Sequence, residues 1–204
     1  MARRRAVTDE TRERILAAAR KVLLAEDFSA FTMEAVARKA DVSRLTLYYH
    51  FDSKSGLLEA LYDYIARRGS MQKLAEVFQK GNDPLSQLHG FIAVFARFWA
   101  SDRDVIRRLH AVGAIDSEIG RGLHARNERR RQGLRVLVEH YSRVYPALTP
   151  LQEPVAIDTL HMLTSFETFD ALAVSGRNGE EVAEIIQKMA DRAIGFLPRA
   201  VHFR

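Results

Sequence analysis

Apolar residues recur along this chain at helical intervals. Ile15, Leu16, Ala19, Val22 and Leu23 form one such set, Leu57, Leu58, Leu61, Tyr62 and Ile65 a second, and Phe91, Phe95, Phe98 and Trp99 a third. Spacings of three, four and seven gather side chains on one stripe of a helix, and no run of strand-like alternation competes with them. The stripes are interrupted near 27–30, 41–43, 50–53, 81–84, 101–102, 113–117, 146–154 and 175–179, where Gly, Pro, Asp, Asn or Ser supply turn and capping chemistry. The pattern predicts an all-α chain of about nine helices. The first covers 8–28, one long helix follows at about 53–80, another crosses 155–174, and the last covers about 180–196.

One stretch carries more than periodicity. In the block from Thr32 to Phe51, Thr32 is placed to cap a short helix with Glu34 in its first turn, and Val36, Ala37 and Ala40 form the buried face. Asp41 and Val42 turn the chain, and Ser43 caps a second short helix held to the body by Leu47 and Phe51. Arg44, Thr46, Tyr48, Tyr49 and His50 are left to project outward. Two short helices joined by a tight turn, with small Ala residues at the crossing, make a helix-turn-helix, whose second helix enters a major groove of about 12 Å width.

Composition narrows the class. The 204 residues suit one or two domains, and 47% hydrophobic with 28% charged residues is an ordinary globular balance. With no cysteine, disulfides, thiolate metal sites and cysteine nucleophiles are excluded, which fits a cytoplasmic location. No apolar run reaches about 18 residues, so neither a membrane span nor a membrane partner is expected. The net charge of +5 is mild: residues 1–68 hold 13 Lys and Arg against 10 Asp and Glu, and Arg3, Arg4 and Arg5 alone account for the difference. These three form either a basic arm that reaches a groove or a solubilising tail.

With Thr8–Phe28 before it and Ser53-Lys54-Ser-Gly-Leu57-Leu58 after it, the Thr32–Phe51 block resembles the N-terminal domain of the tetracycline-repressor (TetR) family. A pattern of Thr, Ile/Val-Ala, Ala-Gly-Val-Ser, Leu-Tyr, Phe and Lys recurs there and is reproduced without a gap, except that Asp41 stands where a turn glycine is usual. The resemblance implies an N-terminal DNA-binding domain over 1–68 and a helical ligand-binding and dimerisation domain over 69–204. It implies phosphate contacts from Thr32, Ser43, Tyr49 and Lys54, the hydroxyl, cationic and helix-terminal groups that grip phosphate. Arg44, Thr46, Tyr48 and His50 are then the candidates for base edges. The implied partners are double-stranded DNA with a palindromic operator, a second copy of the chain, and a small-molecule effector. No cofactor is expected.

On a helical wheel continued through 155–175, Val155, Ala156, Leu160, Met162, Leu163, Phe166, Phe169, Ala171, Ala173 and Val174 spread over nearly half the circumference. That breadth suits a helix buried both in its own domain and against a partner subunit, or one that is simply interior. Glu167 and Asp170 fall inside the arc, and Arg126 and Arg130 fall among the apolar positions of 117–145. Buried charges need partners, so these four either pair around a polar ligand or sit at a rim where Arg snorkels to water. Phe95, Trp99, His110 and Phe166 are the candidate lining of an apolar pocket, although an aromatic stripe also serves as plain core. No His spacing suits a metal, and no nucleophile elbow, P-loop or Gly-x-Gly-x-x-Gly turn is present, which sets an enzyme aside. An architectural DNA protein needs more positive charge than +5.

Overall fold

The computed structural model describes residues 2–25, 31–79, 83–145 and 152–194, with 2–7 and 152 as backbone only. Among them are eleven α-helices and no strand: α1 (Ala2–Ala25), α2 (Met33–Ala40), α3 (Arg44–Phe51), α4 (Lys54–Arg68), α5 (Leu74–Val77), α6 (Pro84–Ser101), α7 (Arg103–Ile115), α8 (Ser117–Val144), α9 (Gln152–Leu163), α10 (Phe166–Ala173) and α11 (Gly179–Ala193). The all-α expectation holds. The count exceeds nine because two stretches read as single helices are broken. After α4, Ser70 is left-handed at φ 63 and a 3-10 turn over Met71–Lys73 leads into α5. Gly69 makes this corner possible: a Cβ there would stand 2.9 Å from the Cα of Phe98. The backbone of Arg3–Arg5 continues α1 instead of forming a separate arm, and their side chains lie outside the described residues, as do Phe28 and Phe196.

The helices group into two compact units, neither of them continuous in sequence. The first combines Met1–Arg67 with Asp102–His124, the second Arg68–Ser101 with Ala125–Arg204. In the first, the stripe of Ile15, Leu16, Ala19, Val22 and Leu23 is buried on α1, facing α2 and α7. Arg20 clasps Asp102 with two hydrogen bonds, one of them from Nη2 to Oδ1 at 2.9 Å. Asp102 sits at the N-cap of α7 yet makes no cap bond to that helix, because its carboxylate is turned to Arg20. Arg108 of α7 returns the contact, donating to the carbonyl of Leu23 in the last turn of α1 at 2.7 Å, where a cation also meets the negative end of the helix dipole.

The second unit is built on α6. Its aromatic stripe stacks inward, with ring centroids 4.7 Å apart for Phe91 and Phe95, 4.5 Å for Phe98 and Trp99, and 5.6 Å for Trp99 and Phe166 of α10. Opposite lie Leu134, Leu137 and Val138 of α8, Leu160 of α9, and Val182, Ile186 and Ala190 of α11, all buried. Asn178 starts α11 with a capping box: Oδ1 accepts from the amides of Glu180 and Glu181, and the Glu181 carboxylate accepts from the amide of Asn178 at 2.8 Å.

The helix expected over 155–174 breaks at Thr164 and Ser165, and the break is held from outside. Carbonyls freed at a helix end need donors. That of His161 accepts from Arg130 at 3.0 Å and that of Thr164 from the Trp99 indole at 3.1 Å, while those of Leu160 and Met162, which keep the Thr164 and Ser165 amides, also accept from the Thr164 and Thr168 hydroxyls at 2.8 and 2.7 Å. Ser165 then caps α10 by accepting from the Thr168 amide. The break resets the helical phase, so Glu167 is exposed and Asp170 half-buried, contrary to the apolar arc that a continuous wheel gives them. Arg130, in contrast, is only 5% exposed. Glu167→Ala is therefore expected to change stability by less than about 1 kcal/mol. Arg130→Ala is expected to cost about 2–4 kcal/mol, from lost packing and from the acceptors it leaves behind. Chemical denaturation at fixed protein concentration measures both.

Candidate nucleic-acid interface

The α2–α3 pair is defined by its ends. Thr32 Oγ1 accepts from the Ala35 amide at 3.1 Å and starts α2. At the other end, the amide of Asp41 donates to the Arg38 carbonyl and that of Val42 to the Ala37 carbonyl at 3.0 Å. This Schellman closure requires the left-handed conformation that Asp41 adopts, φ 53 and ψ 53. Ser43 Oγ then accepts from the Thr46 amide at 3.0 Å and starts α3. Two helices of eight residues are thus capped back to back.

Leu47 and Phe51 of α3 are buried at 0% and 4% exposure and fix its inner face. Arg12 of α1 adds a clamp: its guanidinium lies 4.5 Å from the Phe51 ring centroid and donates to the His50 carbonyl at 2.9 Å. Burial, and secondarily the charge of Arg12, pushes the His50 imidazole below its ordinary pKa. At the C-terminal end, Asp52 turns the chain with φ 57, and Ser53 Oγ accepts from the Gly56 amide at 2.9 Å. A Cβ on Gly56 would fall 2.3 Å from the Phe51 carbonyl, so this corner needs glycine.

The outer face carries Arg44, Leu45, Tyr48 and Tyr49, all exposed, with Thr46 and His50 half-buried beside them. Arg44 pairs with Glu34 of α2 at 2.7 Å while both stay more than half or about half exposed. The Thr46 and Ser43 hydroxyls lie 2.7 Å apart. Lys54 is half-buried, its ammonium 5.6 Å from the Phe31 ring centroid; burial lowers its pKa, and the charge of Asp116 works against that shift.

This geometry coincides with residues 15–61, which match the family model "Bacterial regulatory proteins, tetR family". Residues 15–61 are thus a TetR-type DNA-binding segment. Among curated relatives, the HTH-type transcriptional regulator SrpR of Pseudomonas putida is 44% identical over 62 residues, 30% of this chain and 29% of that protein. The chain spans at most about half the length of the curated relatives it matches, 50% for AlkX of Mycobacterium tuberculosis. Solved structures extend the likeness in fold. NalD, described as the secondary repressor of the MexAB-OprM multidrug efflux pump in Pseudomonas aeruginosa, superposes with TM-score 0.68 at 24% identity over 91% of this chain and 96% of that one. AibR, solved with isovaleryl coenzyme A and operator DNA, gives 0.66 at 19% identity over 88% and 97%.

The eight residues expected at DNA all lie on the α2–α3 pair, its caps or the first turn of α4. The expected effector residues are more scattered. Phe95, Trp99, Phe166 and Arg130 cluster in the second unit, with the Arg130 guanidinium 5.9 Å from the Phe95 ring centroid. Arg126 and Asp170 are half-buried, Glu167 is exposed, and His110 belongs to α7 of the first unit. A cavity of about 10 Å³ lies in the second unit among Leu88, Leu137, Val138, Tyr141, Leu160 and Ile194. That is room for about one water, and none of the expected lining residues faces it. Among the described residues no group of three or more His, Asp and Glu could hold a metal, and no helix is long and apolar enough to cross a membrane.

Leu45, the most exposed large apolar side chain described, was not anticipated at the interface. The signal was in the sequence: Leu45 is out of phase with Leu47 and Phe51.

Two outcomes follow. Asp41→Gly removes a left-handed Cβ, worth about 1–2 kcal/mol, but adds unfolded-state entropy, so a net gain of about 0.5–1 kcal/mol is expected in thermal or chemical unfolding. His161, in contact with Arg130 through Nε2 at 3.0 Å, is held below the ordinary imidazole pKa, first by burial and then by that charge. Since the unfolded chain takes up this proton near pH 6.5 and the folded chain resists it, stability is full above that pH and falls as pH drops through it toward the folded value. His161→Gln is expected to flatten that part of the stability–pH curve.

Proposed function

We propose that the chain is a homodimeric repressor that binds a palindromic DNA operator through α3 and is released by a small-molecule effector. The observation that carries the reading is the outer face of α3, where Arg44, Tyr48 and Tyr49 stand exposed on a helix whose opposite side is locked into the core. Residues 1–68 are the DNA-reading part, with Thr32, Ser43, Tyr49 and Lys54 at phosphates and Arg44, Thr46, Tyr48 and His50 at base edges. Residues 69–204 supply dimerisation and effector binding.

Dimerisation is supported by the apolar side chains that the last three helices leave uncovered: Val155 at 65%, Met162 at 57%, Val174 at 74% and Met189 at 42% exposure. A closed two-fold dimer covers the same patch on both subunits. The effector reading is supported by AibR, solved with both an acyl-coenzyme A and operator DNA, and by NalD, described as an efflux-pump repressor. In this chain the effector-lining candidates are Phe95, Trp99 and Phe166 for an apolar body and Arg130 with Arg126, Asp170, Glu167 and His110 for polar ends. A ligand that favours the DNA-incompetent state must lose affinity for the operator-bound protein by the same factor that it weakens DNA binding, about 5–150-fold for typical couplings.

Fluorescence anisotropy with duplexes selected from a random library tests the reading. Tyr49→Ala and Lys54→Ala are expected to weaken binding equally across operator variants, while Arg44→Ala alters sequence preference at a cost of about 1–3 kcal/mol. A monomer at micromolar concentration in sedimentation, together with no duplex preferred over bulk DNA, overturns it.

A further inference from the structure

The outer face of α3 is more apolar than a groove-facing helix requires. Leu47 and Phe51, four residues apart, define the buried side; Leu45 and Tyr49, also four apart, fall opposite and form a ridge that points away from the protein. Leu45 is 81% exposed and Tyr49 79%. Single exposed leucines are common on protein surfaces and carry no meaning alone. Leu45 differs by its place. It lies in the first turn of the helix, between Arg44, which Glu34 holds at 2.7 Å, and Thr46, whose hydroxyl is 2.7 Å from that of Ser43. Both polar neighbours make contacts within the motif, and the side chain projecting furthest between them can neither donate nor accept a hydrogen bond.

Resting on the operator-binding reading, we propose that Leu45 is a specificity-determining residue that reads thymine through its C5-methyl group. In the major groove every base edge offers hydrogen-bond donors or acceptors, and thymine alone adds a methyl group. An aliphatic side chain desolvates the donors of adenine and cytosine or the acceptors of guanine without replacing their bonds, whereas against thymine it buries apolar surface on both sides.

The test uses the full-length chain and a duplex enriched from a random library. Each thymine of that duplex is replaced in turn by deoxyuridine, which keeps the hydrogen-bonding pattern and lacks only the methyl group. For the wild-type chain, one thymine position per half-site is expected to lose about fourfold in affinity on replacement, the equivalent of about 0.8 kcal/mol for one methyl-sized group buried. Leu45→Ala is expected to bind the thymine and deoxyuridine duplexes alike at that position, with unchanged thermal stability because the side chain is exposed. A repeated selection with Leu45→Asn is expected to lose thymine there. If the wild type binds the enriched duplex but no deoxyuridine substitution distinguishes it from Leu45→Ala, the assignment of Leu45 is overturned and the operator reading stands. If Leu45→Ala changes the oligomeric state while its duplex preference is that of the wild type, Leu45 is a protein contact and the assignment is likewise overturned. Failure to enrich any duplex overturns the operator reading itself.

Discussion

Helices of eight residues do not stand alone in water, where even favourable sequences need about 12–15 residues. The candidate DNA-reading surface consists of two of them, so every feature of it depends on what holds their ends and inner faces. The turn at Asp41 closes α2 through the carbonyls of Ala37 and Arg38, and within two residues Ser43 opens α3. No slack chain remains in which the helices could shift relative to each other. Burial of Val36, Ala37 and Ala40 on one helix and of Leu47 and Phe51 on the other then fixes both against the body of the first unit.

The body is itself tied by charge at one particular place. Asp102 stands at the junction of α6 and α7, where the chain passes from the second unit back to the first, and Arg20 of α1 holds its carboxylate. Asp102 is the more buried partner, with 9% of its side chain exposed against 37% for Arg20. A carboxylate at that depth is stable only while the guanidinium stays on it. The same α1 carries Arg12, which clamps the C-terminal end of α3. One face of a single long helix thus anchors both the recognition helix and the point of return from the second unit.

Much of this was legible in the sequence because it is local. The caps at Thr32 and Ser43, the turn at Asp41 and the inward Leu47 and Phe51 all follow from residue type and spacing within about twenty positions, and the structure has each of them. The break at Thr164 was not legible. It exists because Trp99 and Arg130, far away in the chain, supply donors to the freed carbonyls, and no window of sequence contains that information. A wheel continued through that break sets Glu167 within the apolar arc, whereas it is exposed, as the rim alternative has it, since helical phase does not survive a corner. The corner at Gly69–Ser70 uses ordinary turn residues, but the apolar spacing before it gives no sign that the helix ends there. For Arg130 the sequence left inward and rim placements open, and what decides it is again distant in the chain: its fork meets the carbonyl of His161, the hydroxyl of Thr164 and the amide oxygen of Asn127.

The charge placement on the interface constrains how it can discriminate among partners. Arg44 is paired with Glu34, and Lys54 is half-buried against the Phe31 ring with Asp116 acting on it. Non-specific DNA affinity grows with the number of phosphates a protein neutralises. Arg44 must loosen its contact with Glu34 to reach a phosphate, which lowers what it gains from that source. On the proposed reading, duplexes are distinguished by Arg44 and by the fit of a rigid surface: hydroxyls at the helix caps, two tyrosines and one leucine, held at fixed spacing by the caps and the buried pair beneath. Rigidity is then the condition for selectivity. On the proposed reading, the back-to-back caps at Asp41 and Ser43 serve recognition through the geometry they enforce as well as through the Ser43 hydroxyl.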